Sequence, residues 1–458
     1  FGKKPLYYAD EDGVFLFASE PKALLRHPNV SRDIDPAALT KYFLYEYVPS
    51  PGTAYRAVRQ IPPGSYAIVT KTDMQIRQWW APVFLPKHAK ATGEALLEEL
   101  DQRLATAVQR RLIADVPVGV FLSGGIDSSA IAWYMRRTTG SAPLHSFSVS
   151  FAERSFDESA HAQTAARALG TTHHDLRFTP QTFHESLSDL LPIFDEPFAD
   201  ASLLPTYAVS KFARPYITVA LDGDGSDELL GGYGTFEAAV LAERLPRLTP
   251  ALWNAVQRMV SLLRTSTDDF SFDFKMKTFV KGLKHTLPER NQVWLGSFDA
   301  DELRALLTPD WQNELPRLFQ DLRGHADPLR ELDALDAVSL LTIHQYLAND
   351  ILVKLDRATM SVALETRTPF LDLDFAEFAL RLPAAWKWKK RILKRLMRGR
   401  LPASIIERPK KGFGIPLGSW LRGPLRHLAE TTLRAEKLRE DGILQPREVA
   451  RLLGEQNV

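Results

Sequence analysis

The chain has 458 residues, 45% hydrophobic and 25% charged, with a formal net charge of +1 and no cysteine. That length exceeds one compact core, so two or three domains are expected. The near-neutral balance gives no case for nucleic-acid or membrane attraction, and the lack of cysteine excludes disulfides, thiolate metal sites and a cysteine nucleophile in this chain. No apolar run is long enough to span a bilayer, and the expected location is cytoplasmic. The chain opens with Phe1 inside FGKKPLYY, which reads as a strand already under way. The natural amino terminus, with any targeting signal, is therefore expected upstream.

Residues 1 to about 80 read as short strands, PLYYA, VFLFAS and GSYAIVT, set between Gly, Pro and Asp turns. DPAALTKYFLYEYV reads as a helix with Asp35 as N-cap and Pro36 at its first position. From about residue 92 the pattern changes. GEALLEELDQRLATAVQRRL has apolar residues three and four apart, as an amphipathic helix requires. Strand-like runs then alternate with helices. VPVGVFL (116–122) precedes a helix from Ser128, LHSFSVSF (144–151) precedes one near FDESAHAQTAARALG, and HHDLRF precedes QTFHESLSDLL. LLPTYAVSKFA leads into YITVALDG (216–223). Alternation of this kind predicts a parallel α/β sheet, and continuously apolar strands predict that both its faces are covered. After about residue 235 strand signals stop, and helices packed against the sheet domain are expected to fill the rest.

Two strand ends carry the chemistry. Ser123-Gly124-Gly125 follows an apolar strand, and Ser128-Ser129 opens a helix. Glycines without Cβ let successive N–H groups point at one anion, and the helix N-terminus adds its own donors. The turn lacks the lysine of the common phosphate loop and carries Asp127 instead. A carboxylate beside phosphates requires a cation between them, so the turn reads as a site for the pyrophosphate of ATP with Mg²⁺ bridging. In VALDGDGSDELLGGY (219–233), Asp222, Asp224, Asp227 and Glu228 crowd a second strand end. A solvated turn accounts for any one of these acids. Four together call for cations or a cationic substrate.

These stretches, with ILVKLDRATMSVALETRTPFLD (351–372) and RPKKGFGIPLGSWL (408–421), resemble the synthetase half of the glutamine-hydrolysing asparagine synthetases. FGKKPLYY and FASEPKALL resemble the end of that family's glutaminase domain. The resemblance implies a parallel doubly wound sheet of the ATP pyrophosphatase type with C-terminal helices over residues 86–458. The β-rich end of a class II glutaminase domain would occupy 1–85. It implies that Ser123, Gly124, Gly125, Asp127, Ser128 and Ser129 form the pyrophosphate loop, and that Phe121 and Val149 line the adenine pocket. Asp222 and Gly223 stand where the family contacts the nucleotide, Asp222 replacing a small hydroxyl residue. Asp127 and Asp227 match its magnesium-binding acids, and Asp224 and Glu228 lie on the substrate side. Lys410 matches a lysine that meets the phosphates. Tyr233, paired with Asp350, matches a pair near the acyl acceptor.

The implied reaction adenylates the side-chain carboxylate of aspartate and transfers ammonia to give asparagine, AMP and pyrophosphate. Glutamine would supply the ammonia in an intact parent, and no glutaminase activity is expected of this cysteine-free chain. The same chemistry on another carboxylate, or a nucleotide-binding scaffold without turnover, stays open. So does oligomeric state, a homodimer included. Partners are expected to be small molecules, with neither nucleic acid nor membrane. Eleven Lys or Arg between 387 and 411 face one acid, Glu407, and read as a solvated helix face plus one active-site lysine. AWKWKKRILKRL (385–396) also looks shortened relative to the family. His173-His174 reads as a surface pair at a strand end.

Overall fold

The computed structural model describes residues 1–245, 250–263, 266, 268, 271–325 and 329–455. At the amino end, β1 (Tyr7–Glu11) and β2 (Val14–Ala18) form an antiparallel hairpin. Its turn residues Asp12 and Gly13 both have positive φ, the geometry a two-residue turn between twisted strands requires. β3 (Arg59–Gln60) pairs with the other edge of β1. β4 (Ser65–Val69) and β5 (Met74–Gln78) make a separate hairpin. The helix Pro36–Tyr45 starts as expected, with the Asp35 carboxylate accepting from the amides of Ala37 and Ala38. It ends three residues earlier than its apolar pattern, because Glu46 turns left-handed.

The main sheet is parallel and five-stranded: β6 (Val118–Phe121), β7 (His145–Ser150), β8 (Thr172–Arg177), β9 (Val219–Leu221) and β10 (Glu365–Arg367), in the order β10-β9-β6-β7-β8. Helices over Gly93–Leu112, Ile126–Thr139, Ser159–Leu169, Pro180–Leu190 and Leu203–Ala213 stand where their patterns put them. Both faces of the sheet are covered. Val120, Val219 and Leu221 pack into one core with the helices Gly93–Leu112 and Ile126–Thr139. Ala220, between the two β9 residues, faces the other core, with Phe147 and the helix Leu203–Ala213. The fold is thus the expected α/β, doubly wound sheet with a helical carboxyl half.

Two expectations are corrected. A fifth strand, β10, lies far beyond residue 235. And β8, at the sheet edge, is half-exposed and polar rather than continuously apolar. His173 and His174 are its second and third residues and are built into the sheet. His173 hydrogen-bonds the Ser146 and Ser148 hydroxyls, and His174 lies 3.0 Å from the His145 ring nitrogen.

The strand order has a consequence for ligands. From β6 the chain winds to β7 and β8 on one side, then returns to place β9 on the other side of β6. The crevice beyond the carboxyl ends of β6 and β9 is therefore a topological switch point, where open α/β sheets bind ligands.

Candidate active site

The two loops of interest leave β6 and β9, so the sheet itself brings them together. Gly124 has φ +73, and a Cβ there would lie 2.3 Å from the carbonyl carbon of His161. Glycine is required on both counts. The helix behind the first loop starts at Ile126, two residues before Ser128, and its N-cap Gly125 supplies no side-chain cap. Its first amides are thus left to an incoming acceptor. Within the loop, the Ser123 and Ser128 hydroxyls are 3.2 Å apart and the Gly125 amide donates to Ser123 Oγ at 3.4 Å. The Ser129 hydroxyl is fully buried and has no hydrogen-bond partner among the described residues.

The second loop packs directly on the first. A Cβ on Gly223 would meet the Ser128 nitrogen at 2.9 Å and the Asp127 Cβ at 3.0 Å. Ser226 donates its hydroxyl to Asp127 Oδ1 at 2.6 Å. The Lys390 ammonium lies 2.5 Å from Asp127 Oδ2 and 2.5 Å from Asp227 Oδ1, and Lys410 lies 2.6 Å from Asp227 Oδ2. Burial alone would raise the Asp227 carboxyl, but the two ammonium groups outweigh it and hold it down at about 2. Burial likewise works against the charge on Lys410, and Asp227 and Asp127 overcome it, raising that lysine.

Around this charged centre the other acids respond to burial. Asp224 is raised by burial, an effect opposed by Lys354 and Lys410. Asp222 is raised well above the usual carboxylate range by burial and by Asp224. Its side chain accepts from the Asp224 amide at 3.1 Å and from the Thr368 hydroxyl at 3.4 Å, so it ties the loop to the segment after β10. Burial and the neighbouring Asp227 push Glu228 up to about 7. Tyr233 donates to Glu228 Oε1 at 2.7 Å, while Glu228 Oε2 is buried with no hydrogen-bond partner among the described residues. Phe121 and Val149 meet in one apolar cluster on the ends of β6 and β7.

Two site expectations are corrected. Tyr233 is bonded to Glu228 and not to Asp350. Asp350 belongs to a neighbouring buried group, raised by burial and by Asp200, whose carboxylate pairs with Lys354 at 2.7 Å. The basic stretch also holds more than one site lysine. Lys390, 3% exposed, bridges the two aspartates, and Lys387 is fully buried on Asp336. Asp336 also receives Lys87, and both lysines share the Leu380 carbonyl. The two left-handed residues Lys389 and Lys390 make the tight turn that delivers the Lys390 side chain.

The donor set suits a nucleotide-borne Mg²⁺. Asp127 and Asp227 already converge on one cationic atom, and Mg²⁺ commonly takes one or two carboxylates plus phosphate oxygens. No cluster of three or more acidic, His or Cys side chains able to hold a metal by itself occurs among the described residues.

A doubly wound parallel sheet with two glycine-rich acidic loops meeting at its switch point is the architecture of an α/β ligand-binding domain. Comparison with known proteins makes the assignment specific. The asparagine synthase family matches residues 99–458 and the glutamine amidotransferase domain matches residues 1–80, and the chain belongs to the asparagine synthase family. It is 29% identical over 459 residues to asparagine synthetase [glutamine-hydrolyzing] 1 of Bacillus subtilis, covering 97% of this chain and 70% of that protein. It is 32% identical over 455 residues to a putative asparagine synthetase [glutamine-hydrolyzing] of Mycobacterium bovis, covering 94% of this chain and 66% of that one. The amidase chyE of Penicillium rubens is 25% identical over 485 residues, covering 97% of this chain and 70% of that protein. The chain thus spans about two thirds of the length of these relatives. Family membership makes it a ligase of the ATP-dependent amide-forming kind. Among the described residues no helix is long and apolar enough to cross a membrane.

Proposed function

We propose that this chain adenylates the side-chain carboxylate of aspartate and converts it to the amide of asparagine, with residues 86–458 as the catalytic unit and 1–85 as part of a glutaminase domain. The observation that carries the reading is the convergence of Asp127, Ser226, Asp227, Lys390 and Lys410 at the ends of two adjacent strands.

A carboxylate resists ammonia because oxide is a poor leaving group. Attack of the carboxylate oxygen on the α-phosphorus of ATP forms a P–O bond and releases pyrophosphate. Ammonia then bonds to the acyl carbon, AMP departs, and one proton is lost. The glycine loop and the uncapped helix start would bind the departing pyrophosphate. Lys410 and Lys390 would shift from the aspartates onto phosphate oxygens, where negative charge grows. Asp127 and Asp227 would hold Mg²⁺, which when bound neutralises charge on the phosphates. Phe121 and Val149 would seat the base, and Asp222 and Gly223 would border the nucleotide. Asp224 would face the acceptor's amino group. Glu228, raised to about 7 and backed by Tyr233, is tuned to take the proton released by ammonia.

Incubation with ATP, Mg²⁺, ammonia and aspartate should release AMP and pyrophosphate and form asparagine. A panel of other carboxylic acids, run in parallel because one relative is an amidase, reads the alternative. Turnover with a panel member and none with aspartate overturns the acceptor, and no pyrophosphate exchange with any acid overturns adenylation.

A further inference from the structure

The helix Arg391–Met397 carries a charged feature outside the paired loops. Its apolar residues Ile392, Leu393, Leu396 and Met397 are buried. That fixes Arg391, Lys394, Arg395 and, just beyond its end, Arg398 on the opposite face at spacings of three and four. These four line a groove of about 510 Å³ whose other walls are Trp388, Lys389 and Glu407. Lys389 is drawn to Glu237 at 2.8 Å, and Arg398 stands 3.7 Å from Glu407. For Arg391, Lys394 and Arg395 the structure shows no ion pair among the described residues. Arg395 is stacked on Trp386, its guanidinium 5.3 Å from the ring centroid, so its charge is held in place. No acidic residue occurs in the sequence between Glu377 and Glu407. A solvated helix face interleaves opposite charges, and this one does not.

We propose that this groove is a second anion site, for a small ligand carrying two or more phosphate groups. Arg391 and Arg395 are about 6 Å apart along the helix axis, so one phosphate engages part of the row and two engage it all. The planar guanidinium forks match phosphate oxygens, and Trp388 gives a flat wall for the ligand's uncharged body. The row is only about 10 Å long on a chain of net charge +1, which favours a small molecule over a nucleic-acid strand. The groove rests on its own residues and does not depend on the proposed reaction.

The test is calorimetric titration of the intact chain with fructose 1,6-bisphosphate, with ATP and excess Mg²⁺ already present. One equivalent should bind, about tenfold tighter than fructose 6-phosphate, with affinity falling as salt rises. The triple variant Arg391→Ala/Lys394→Ala/Arg395→Ala should weaken it about tenfold or more, and Arg391→Lys/Arg395→Lys, which keeps the charge but loses the planar forks, should weaken it less. The single change Lys394→Glu, at a half-buried position, provides the same test should the triple variant fold poorly. ATP affinity should be unchanged throughout. Absence of bisphosphate binding, equal affinity in the wild type and the charge-removing variants, or preference for a short RNA oligonucleotide overturns the proposal.

Discussion

Ser226 donates its hydroxyl to Asp127 at 2.6 Å, joining two loops 99 residues apart in the chain. The bond sets the carboxylate's orientation before any nucleotide arrives. Hydrogen bonds to charged groups contribute about 1.5–3 kcal/mol. Ser226→Ala should therefore lower aspartate-dependent pyrophosphate exchange by about tenfold while the circular-dichroism spectrum stays unchanged. Equal exchange rates in the two proteins would remove Ser226 from the site.

Lys410→Ala should reduce adenylation by about 100-fold or more, since its charge is needed most in the transition state. Lys390→Ala should do this and also destabilise the fold, because it leaves two buried carboxylates sharing no bridging cation. Breaking a buried pair costs about 3–5 kcal/mol. Chemical denaturation separates the two lysines: a larger stability loss for Lys410→Ala than for Lys390→Ala contradicts this assignment.

The pH dependence has two opposed parts. Asp227 is held at about 2, so its pairing stabilises the fold above the ordinary carboxylate range and is lost as pH falls from about 4 towards 2. Glu228 is raised to about 7, so its neutral form stabilises the fold at low pH, and that contribution fades as pH rises from about 4.5 to 7. Glu228→Gln should flatten the second slope. In the amide-forming step, wild-type rate should rise with pH through about 7, and Glu228→Gln should be slow at every pH. A variant that keeps the rise excludes Glu228 as the proton acceptor.

Gly223→Ala puts a methyl group 2.9 Å from the Ser128 nitrogen and 3.0 Å from the Asp127 Cβ. Neither neighbour is a flexible side-chain end, so the loops must separate. ATP affinity, measured by equilibrium titration, should fall about tenfold or more. Unaltered affinity means that the nucleotide does not need both loops at this spacing.

Most of the sheet was legible because its central strands are apolar and its helices keep their period, Gly93–Leu112 being the clearest case. β10 was not, since Glu-Thr-Arg has no apolar pattern and becomes a strand only beside β9. The acidic loops were visible as charge density at strand ends. Lys390 was hidden inside a run of cations, and nothing in its neighbours distinguishes it from Lys389. The turn that buries one and exposes the other depends on tertiary contacts. The Tyr233 partner was missed for a similar reason. Glu228 lies only five residues away, but the link appears only when left-handed Gly231 ends the short helix Ser226–Leu230 and the chain beyond it brings Tyr233 back to Glu228.

Asp336 holds Lys87, from the segment that joins the amino-terminal strands to the sheet domain, and Lys387, three residues before Lys390. Asp336, together with the Leu380 carbonyl, therefore ties that connecting segment to the chain just before the turn that presents Lys390. Neutralising Asp336 would leave the Lys387 ammonium buried without its carboxylate, only three residues from the lysine that bridges Asp127 and Asp227.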